Sequence, residues 1–168
     1  MTSLAALNAA GRDAFVAATG FAFEKSPWIA ARAWERRPFA DLDALHAALI
    51  DVVRAAPQSE QVALIAAHPE LAAPAKRAVE LTPESRGEQR SAGLDALSSE
   101  ESERFARANA AYRTRFGFPF VVCARRLDAA GIQRALERRL ASDRKTEIAT
   151  ALDEIAQIAR LRLQDAIT

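Results

Sequence analysis

Apolar residues recur at spacings of three and four along most of this chain, and that period predicts helices almost throughout. Ser26-Pro27 reads as a cap followed by a proline at the first helical position, opening a helix that carries Trp28, Ile29 and Trp34. Asp41 starts another, with Leu42, Leu45, Leu49, Val52 and Val53 on one stripe and His46 beside it as a structural histidine. A shorter helix over 58–67 carries Val62, Leu64 and Ile65. It stops at His68-Pro69, because the residue before a proline is pushed out of helical geometry. Further helices are predicted to begin near Ser85 and at Ser98, where Ser98-Ser99-Glu100-Glu101 has the form of a capping box. The helix from Ser98 runs to about Arg115, and Gly117 and Pro119 break it. Phe116, Phe118 and Phe120 then alternate, which predicts a short extended segment. Its backbone groups lack helical partners, so it is either a connector satisfied by its neighbours or a place where a polar ligand binds. The last helix covers about 143–166, with Ile148, Leu152, Ile155, Ala159, Arg162 and Ala166 on its stripe. The expected fold is a single all-α domain over residues 1–168, of seven or eight helices and one extended Phe-Gly-Phe-Pro-Phe segment.

Polar residues interrupt this pattern in informative places. Ser85, Glu88 and Gln89 stand at i, i+3 and i+4 and so project from one helical face. The same Ser-x-x-Glu spacing also fits a capping box with Ser85 as cap and Glu88 reaching back, and both readings are open. Arg162 falls on the apolar stripe of the last helix, whereas Arg160 is turned roughly 160° away, toward solvent. A buried charge without a partner costs several kcal/mol. Arg162 therefore calls for an anion, which could be an internal carboxylate or the carboxylate of a ligand. His68, at a helix end, is the one good acid or base near neutral pH in this set. Glu88 and Gln89 suit a ligand with several N–H and C=O groups, such as a ureido or amide. Arg162 suits a planar carboxylate, which it can grip with two parallel bonds.

Composition narrows the field without changing it. Half of the 168 residues are apolar, 27% are charged and the net charge is +1, so nothing calls for nucleic acid or an anionic membrane as partner. No membrane span and no signal peptide are expected, for want of a long apolar run or a basic leader. The single cysteine, Cys123, lies in the apolar run Phe120-Val121-Val122-Cys123 and reads as a buried inert thiol, in keeping with the reducing cytosol. Two histidines and one cysteine, with no His-x-x-x-His spacing, predict no metal site, and neither a phosphate loop nor a cofactor fingerprint is present.

Several short motifs occur together in a specific order. They are Phe23-Glu24-Lys25-Ser26-Pro27-Trp28, Arg37-Pro38-Phe39, His68-Pro69-Glu70-Leu71-Ala72, Ser85-Arg86-Gly87-Glu88-Gln89 with Ala92-Gly93-Leu94, Asn109-Ala110-Ala111-Tyr112, Phe116-Gly117-Phe118-Pro119-Phe120-Val121 and Ile158-Ala159-Arg160-Leu161-Arg162-Leu163. Each is weak alone. In this order, over nearly the whole length, the chain resembles the 2-oxo-4-hydroxy-4-carboxy-5-ureidoimidazoline (OHCU) decarboxylases, which complete the route from urate to (S)-allantoin.

The resemblance implies a cofactor-independent carboxy-lyase acting on a small ureidoimidazoline carboxylate. It implies His68 and Glu88 as catalytic residues, and Pro69, Ser85, Gln89, Phe120, Val121 and Arg162 as substrate-binding residues, with backbone groups of the phenylalanine-rich segment lining the ligand. It also implies a possible homodimer. One departure stands at Ser142, where the family often carries asparagine, and it puts a turn in doubt. Two other readings fit the same residues: a hydrolase of a ureido or amide bond with His68 activating water, and a non-catalytic helical module in which each polar motif is a cap or a buried pair.

Overall fold

In the computed structural model, which describes residues 1–73 and 81–168, the chain is all-α, with nine α-helices among the described residues. They are α1 (Leu4–Ala9), α2 (Arg12–Thr19), α3 (Pro27–Ala33), α4 (Leu42–Ala55), α5 (Gln58–Ala67), α6 (Pro83–Ser91), α7 (Ser99–Phe116), α8 (Ala129–Arg139) and α9 (Arg144–Ala166). The backbone groups into two compact units, Met1–Ala67 with Ile155–Thr168, and His68–Glu154.

The first unit holds α1 to α5 and the last turns of α9. Its interior is apolar, with Leu7, Phe15, Ile29, Leu45 and Leu49 fully buried. Phe15 and Phe39 stack with ring centres 6.0 Å apart. Asn8 pairs with both backbone groups of Phe39, donating to its carbonyl at 2.9 Å and accepting from its N–H at 2.8 Å. Asp41 caps α4 by accepting from Ala44 N, as its position before the apolar stripe predicts. His46 is half-buried, its Nε2 2.8 Å from the Ala156 carbonyl, a satisfied structural histidine. Ser26 does not cap α3. Its hydroxyl donates to the Glu24 carbonyl at 2.9 Å, and Pro27 alone marks the helix start, where its missing N–H costs nothing. Helices α1 and α2, six and eight residues long, lie ahead of the first predicted element, and each is too short to show a clear period.

The second unit runs from the His68 loop through α6, α7, an irregular stretch, a 3-10 turn (Ala124–Arg126) and α8 to the first half of α9. The Ser98 capping box is present in both directions, Glu101 N to Ser98 Oγ at 3.2 Å and Ser98 N to Glu101 Oε2 at 2.8 Å. Helix α6 differs from expectation. It starts at Pro83, and the cap is Thr82, whose hydroxyl accepts from Ser85 N at 3.2 Å. Proline at the first position draws the start upstream, and Ser85 becomes the third helical residue. The turn before α9 is held by a carbonyl: Ser142 O accepts from Arg115 at 2.9 Å, a bond that any residue at 142 supplies. Asp143 then caps α9 through Thr146 N at 2.9 Å.

Helix α7 ends at Gly117, whose φ of 81° lies in the left-handed region and whose N–H closes on Arg113 O at 2.8 Å. Space around its α-carbon is open, so an added methyl meets nothing and the cost of replacement is conformational. Gly117→Ala is expected to lower unfolding free energy by about 1 kcal/mol, read as a shift of the urea midpoint at unchanged slope.

Candidate functional site

Helix α5 ends at Ala67, and Pro69 prevents its continuation, so His68 sits in the loop beyond the helix, where it is buried. Within the second unit that loop is tied down from two helices. Asn109 of α7 donates to the Leu71 carbonyl at 2.8 Å, Gln89 Oε1 of α6 accepts from Ala72 N at 3.1 Å, and Arg113 pairs with Glu70. Ala72 is held at φ 55°, a left-handed conformation that costs a residue with a Cβ roughly 1–2 kcal/mol. The side-chain anchors maintain it.

On α6, Ser85 and Gln89 are buried and Glu88 is half-buried, while Arg86, Gly87 and Arg90 are exposed. The three polar residues thus share the inward face. Since Thr82 is the cap, this face is not explained as a capping box. The bond from Ala72 fixes which end of the Gln89 amide is oxygen. Its Nε2 is buried and has no hydrogen-bond partner among the described residues. Such a donor costs about 1–3 kcal/mol unless something accepts from it. Helix α6 packs on the 3-10 turn that follows Cys123. Burial pushes the Cys123 thiol up to about 11, and the nearby carboxylates of Glu154 and Glu88 push the same way. The thiol is buried and the Cys123 N–H donates to Glu154 at 2.8 Å, in keeping with an inert core cysteine.

The Phe-Gly-Phe-Pro-Phe segment is irregular and crosses the interior of its unit. Phe116, Phe118 and Phe120 gather around Tyr112, with ring centres 4.6, 6.2 and 5.4 Å from it. Val121 and Val122 are buried as well, so the alternation does not divide an inner from an outer side. The Val121 carbonyl accepts from Arg139 NH1 at 2.7 Å. The N–H groups of Phe120 and Val121 meet no acceptor among the described residues. Arg139 also lies over the Phe120 ring at 4.6 Å and forms an ion pair with Glu147 at 2.9 Å, and Glu147 accepts from the Tyr112 hydroxyl. Burial, reinforced by that bond to Glu147, raises the Tyr112 pKa well above its ordinary value.

Arg162 belongs to the first unit. Its side chain and that of Glu24 are each 3% exposed, and they pair at 3.0 Å, while NH1 donates to the Phe21 carbonyl at 3.2 Å. Of the two anions the sequence leaves open, the structure supplies the internal carboxylate. A left-handed Lys25 (φ 47°) turns the chain just after Glu24. Arg160, half-exposed, pairs with Asp43, so the two arginines part as the helical geometry predicts.

The structure therefore joins Gln89 to the His68 loop and places Ser85, Glu88 and Gln89 on one face. Sequence reasoning did not find Glu24, Asn109 or the Tyr112–Glu147–Arg139 set as polar partners. For Arg139 a signal exists: Ile132, Leu136 and Arg139 make an inward stripe on α8, as Arg162 does on α9. Among the described residues, no group of three or more His, Cys, Asp or Glu side chains is placed to hold a metal ion, and no helix is long and apolar enough to cross a membrane.

A family model described as OHCU decarboxylase matches residues 8–164. A 2-oxo-4-hydroxy-4-carboxy-5-ureidoimidazoline decarboxylase of Halalkalicoccus jeotgali is 42% identical over 159 residues, covering 95% of this chain and 88% of the relative. One from Mus musculus is 42% identical over 153 residues, covering 91% and 86%. In fold, the chain is similar to the crystal structure of an (S)-allantoin synthase, with a TM-score of 0.79 at 23% identity, over all of this chain and 54% of that one.

The Cys123 environment has a measurable consequence. A thiol whose pKa is raised in the fold above its ordinary 9.0 contributes stability that is fully present below pH 9.0 and drains away as pH rises through about 11. Cys123→Ala lacks this term. Urea titrations at several pH values should show the stability gap between wild type and variant narrowing from pH 9 upward, and staying constant below it.

Proposed function

The chain belongs to the OHCU decarboxylase family, and from that membership we propose the reaction it carries out and the residues that perform it. The substrate is 2-oxo-4-hydroxy-4-carboxy-5-ureidoimidazoline and the products are (S)-allantoin and carbon dioxide, the last step from urate to allantoin in purine degradation. The bond from the ring carbon to its carboxylate breaks, and the electron pair flows into the adjacent ring imine to give an enol-like intermediate. A proton then adds to the former imine carbon from one face. Decarboxylation needs an electron sink, and here the substrate carries its own, so no cofactor is required.

His68 is the acid–base group that moves the proton between the 4-hydroxyl and the ring. Glu88 accepts from ureido or ring N–H groups and positions the substrate beside His68, while Pro69 and Ser85 shape the same grip. Gln89 has its oxygen committed to the Ala72 amide, which leaves its buried nitrogen as a donor for a substrate carbonyl. Phe120 and Val121 contribute backbone N–H groups. Arg162 holds a ring carbonyl and not the leaving carboxylate. Its pairing with Glu24 already offsets its charge, and a tight grip on the carboxylate would stabilise the ground state and slow the reaction. The observation that carries this reading is the inward polar face of α6, which is not a cap and whose Gln89 is bonded to the loop bearing His68. The reading extends, on family resemblance, to a cytosolic homodimer in which residues 1–168 act as one functional domain.

His68→Asn tests the assignment. With substrate generated in place from urate by urate oxidase and hydroxyisourate hydrolase, the wild type should release carbon dioxide far faster than the uncatalysed background. The variant, with an unchanged far-UV spectrum, should lose about 10²–10⁴ in rate. Wild-type turnover by the variant would exclude His68. Ammonia released by the wild-type protein in place of carbon dioxide would mean a hydrolase.

A further inference from the structure

One buried cluster of the second unit has no part in the chemistry above, yet it grips the segment assigned to the ligand. Arg139, at the end of α8, is 10% exposed and Glu147, near the start of α9, is 1% exposed. The guanidinium hydrogen-bonds through Nε and NH1, while NH2 is close to the Glu147 carboxylate without an aligned hydrogen bond. Nε and NH2 face Glu147 at 2.9 Å, NH1 donates to the Val121 carbonyl at 2.7 Å, and the flat face covers the Phe120 ring at 4.6 Å. Tyr112 of α7 completes the set, its hydroxyl donating to Glu147 and its ring meeting Phe120 edge-on at 5.4 Å.

Stability alone is a poor reason for such a cluster. A buried ion pair loses so much solvation that apolar residues of similar volume often serve as well or better. What an arginine supplies and an apolar residue does not is a rigid fork that sets the direction of a carbonyl. The bond to the Val121 carbonyl fixes the Val121–Val122 peptide plane, and the guanidinium stacked on the Phe120 ring holds the residue before it, so the Phe120–Val121 peptide is bracketed from both sides. Phe120 and Val121 are 2% and 3% exposed, and their N–H groups find no acceptor among the described residues, which is rare for buried backbone.

We propose that Arg139, held by Glu147 and Tyr112, is a positioning residue for the decarboxylation: it anchors the Val121 carbonyl so that the Phe120 and Val121 N–H groups are presented as a fixed donor pair to an oxygen of the substrate. Arg139 itself does not touch the substrate. The inference rests on the decarboxylase reading and on the assignment of residues 120 and 121 to the ligand. It adds the device that makes them donors.

Arg139→Lys keeps the charge beside Glu147 and loses both the fork and the stacked plane. Measured where circular dichroism shows the helical fold intact, it should lower kcat by about 10- to 100-fold with a smaller change in KM, and should shift the backbone amide resonances of Phe120 and Val121. A folded Arg139→Lys protein with wild-type kcat and KM would overturn the proposal, as would unmoved amide resonances. Should Arg139→Lys fail to fold, Tyr112→Phe serves, since it keeps the ring and removes only the bond to Glu147. A lesser drop in kcat with shifted amides supports the proposal, and wild-type values for both overturn it. A wild-type protein with no decarboxylase activity overturns the functional reading instead, and the amide resonances still decide whether Arg139 sets the backbone at 120 and 121.

Discussion

Each compact unit encloses a buried arginine–glutamate pair, Arg139–Glu147 in one and Arg162–Glu24 in the other. Taking one partner away would leave an uncompensated interior charge at a cost of about 3–5 kcal/mol. The geometry around each pair is therefore strongly determined. In the second unit the constraint gathers α7, α8, α9 and the irregular segment at one point, through Tyr112, Arg139, Glu147 and Val121. In the first it joins the turn after α2 to the last helix through Phe21, Glu24 and Arg162. Other ion pairs, such as Arg32–Glu60 and Arg104–Glu137, lie near the surface and are worth little to stability.

With that scaffold fixed, the polar face of α6 and the loop before it can stay polar inside an apolar interior. The loop carrying His68 contains a left-handed alanine that would relax if unsupported. Asn109, Gln89 and Arg113 hold it in place from neighbouring helices. In the decarboxylation proposed above the substrate carries its own electron sink, which leaves orientation, a proton relay and a choice of face to the protein, and such pre-organisation would serve all three.

Much of this fold was legible as periodicity and punctuation. Asp41, Ser98, Pro69 and Gly117 each mark a helix boundary by a local mechanism that needs no tertiary information, and each lies at a boundary in the structure. Where two local signals competed, the stronger won: Thr82-Pro83 starts α6, and Ser85, which also has cap spacing, falls inside it. Helices α1 and α2 were not legible because six or eight residues scarcely sample the helical period. For the candidate site, helical geometry separated Arg162 from Arg160, yet the partner of Arg162 lies 138 residues away and no local rule points to Glu24. The same inward-stripe argument applied to α8 would have raised Arg139. Its bond to a backbone carbonyl at residue 121, by contrast, exists only in the folded chain.

The central claim is that this protein directs protonation of the intermediate to one face, and optical activity reports on that most directly. Circular dichroism should be followed after fresh substrate is generated from urate, with and without the protein. Rapid growth of the (S)-allantoin signal, to the amplitude of a single enantiomer, is the predicted result. Allantoin that appears only at the slow background rate and as a racemate would contradict the account.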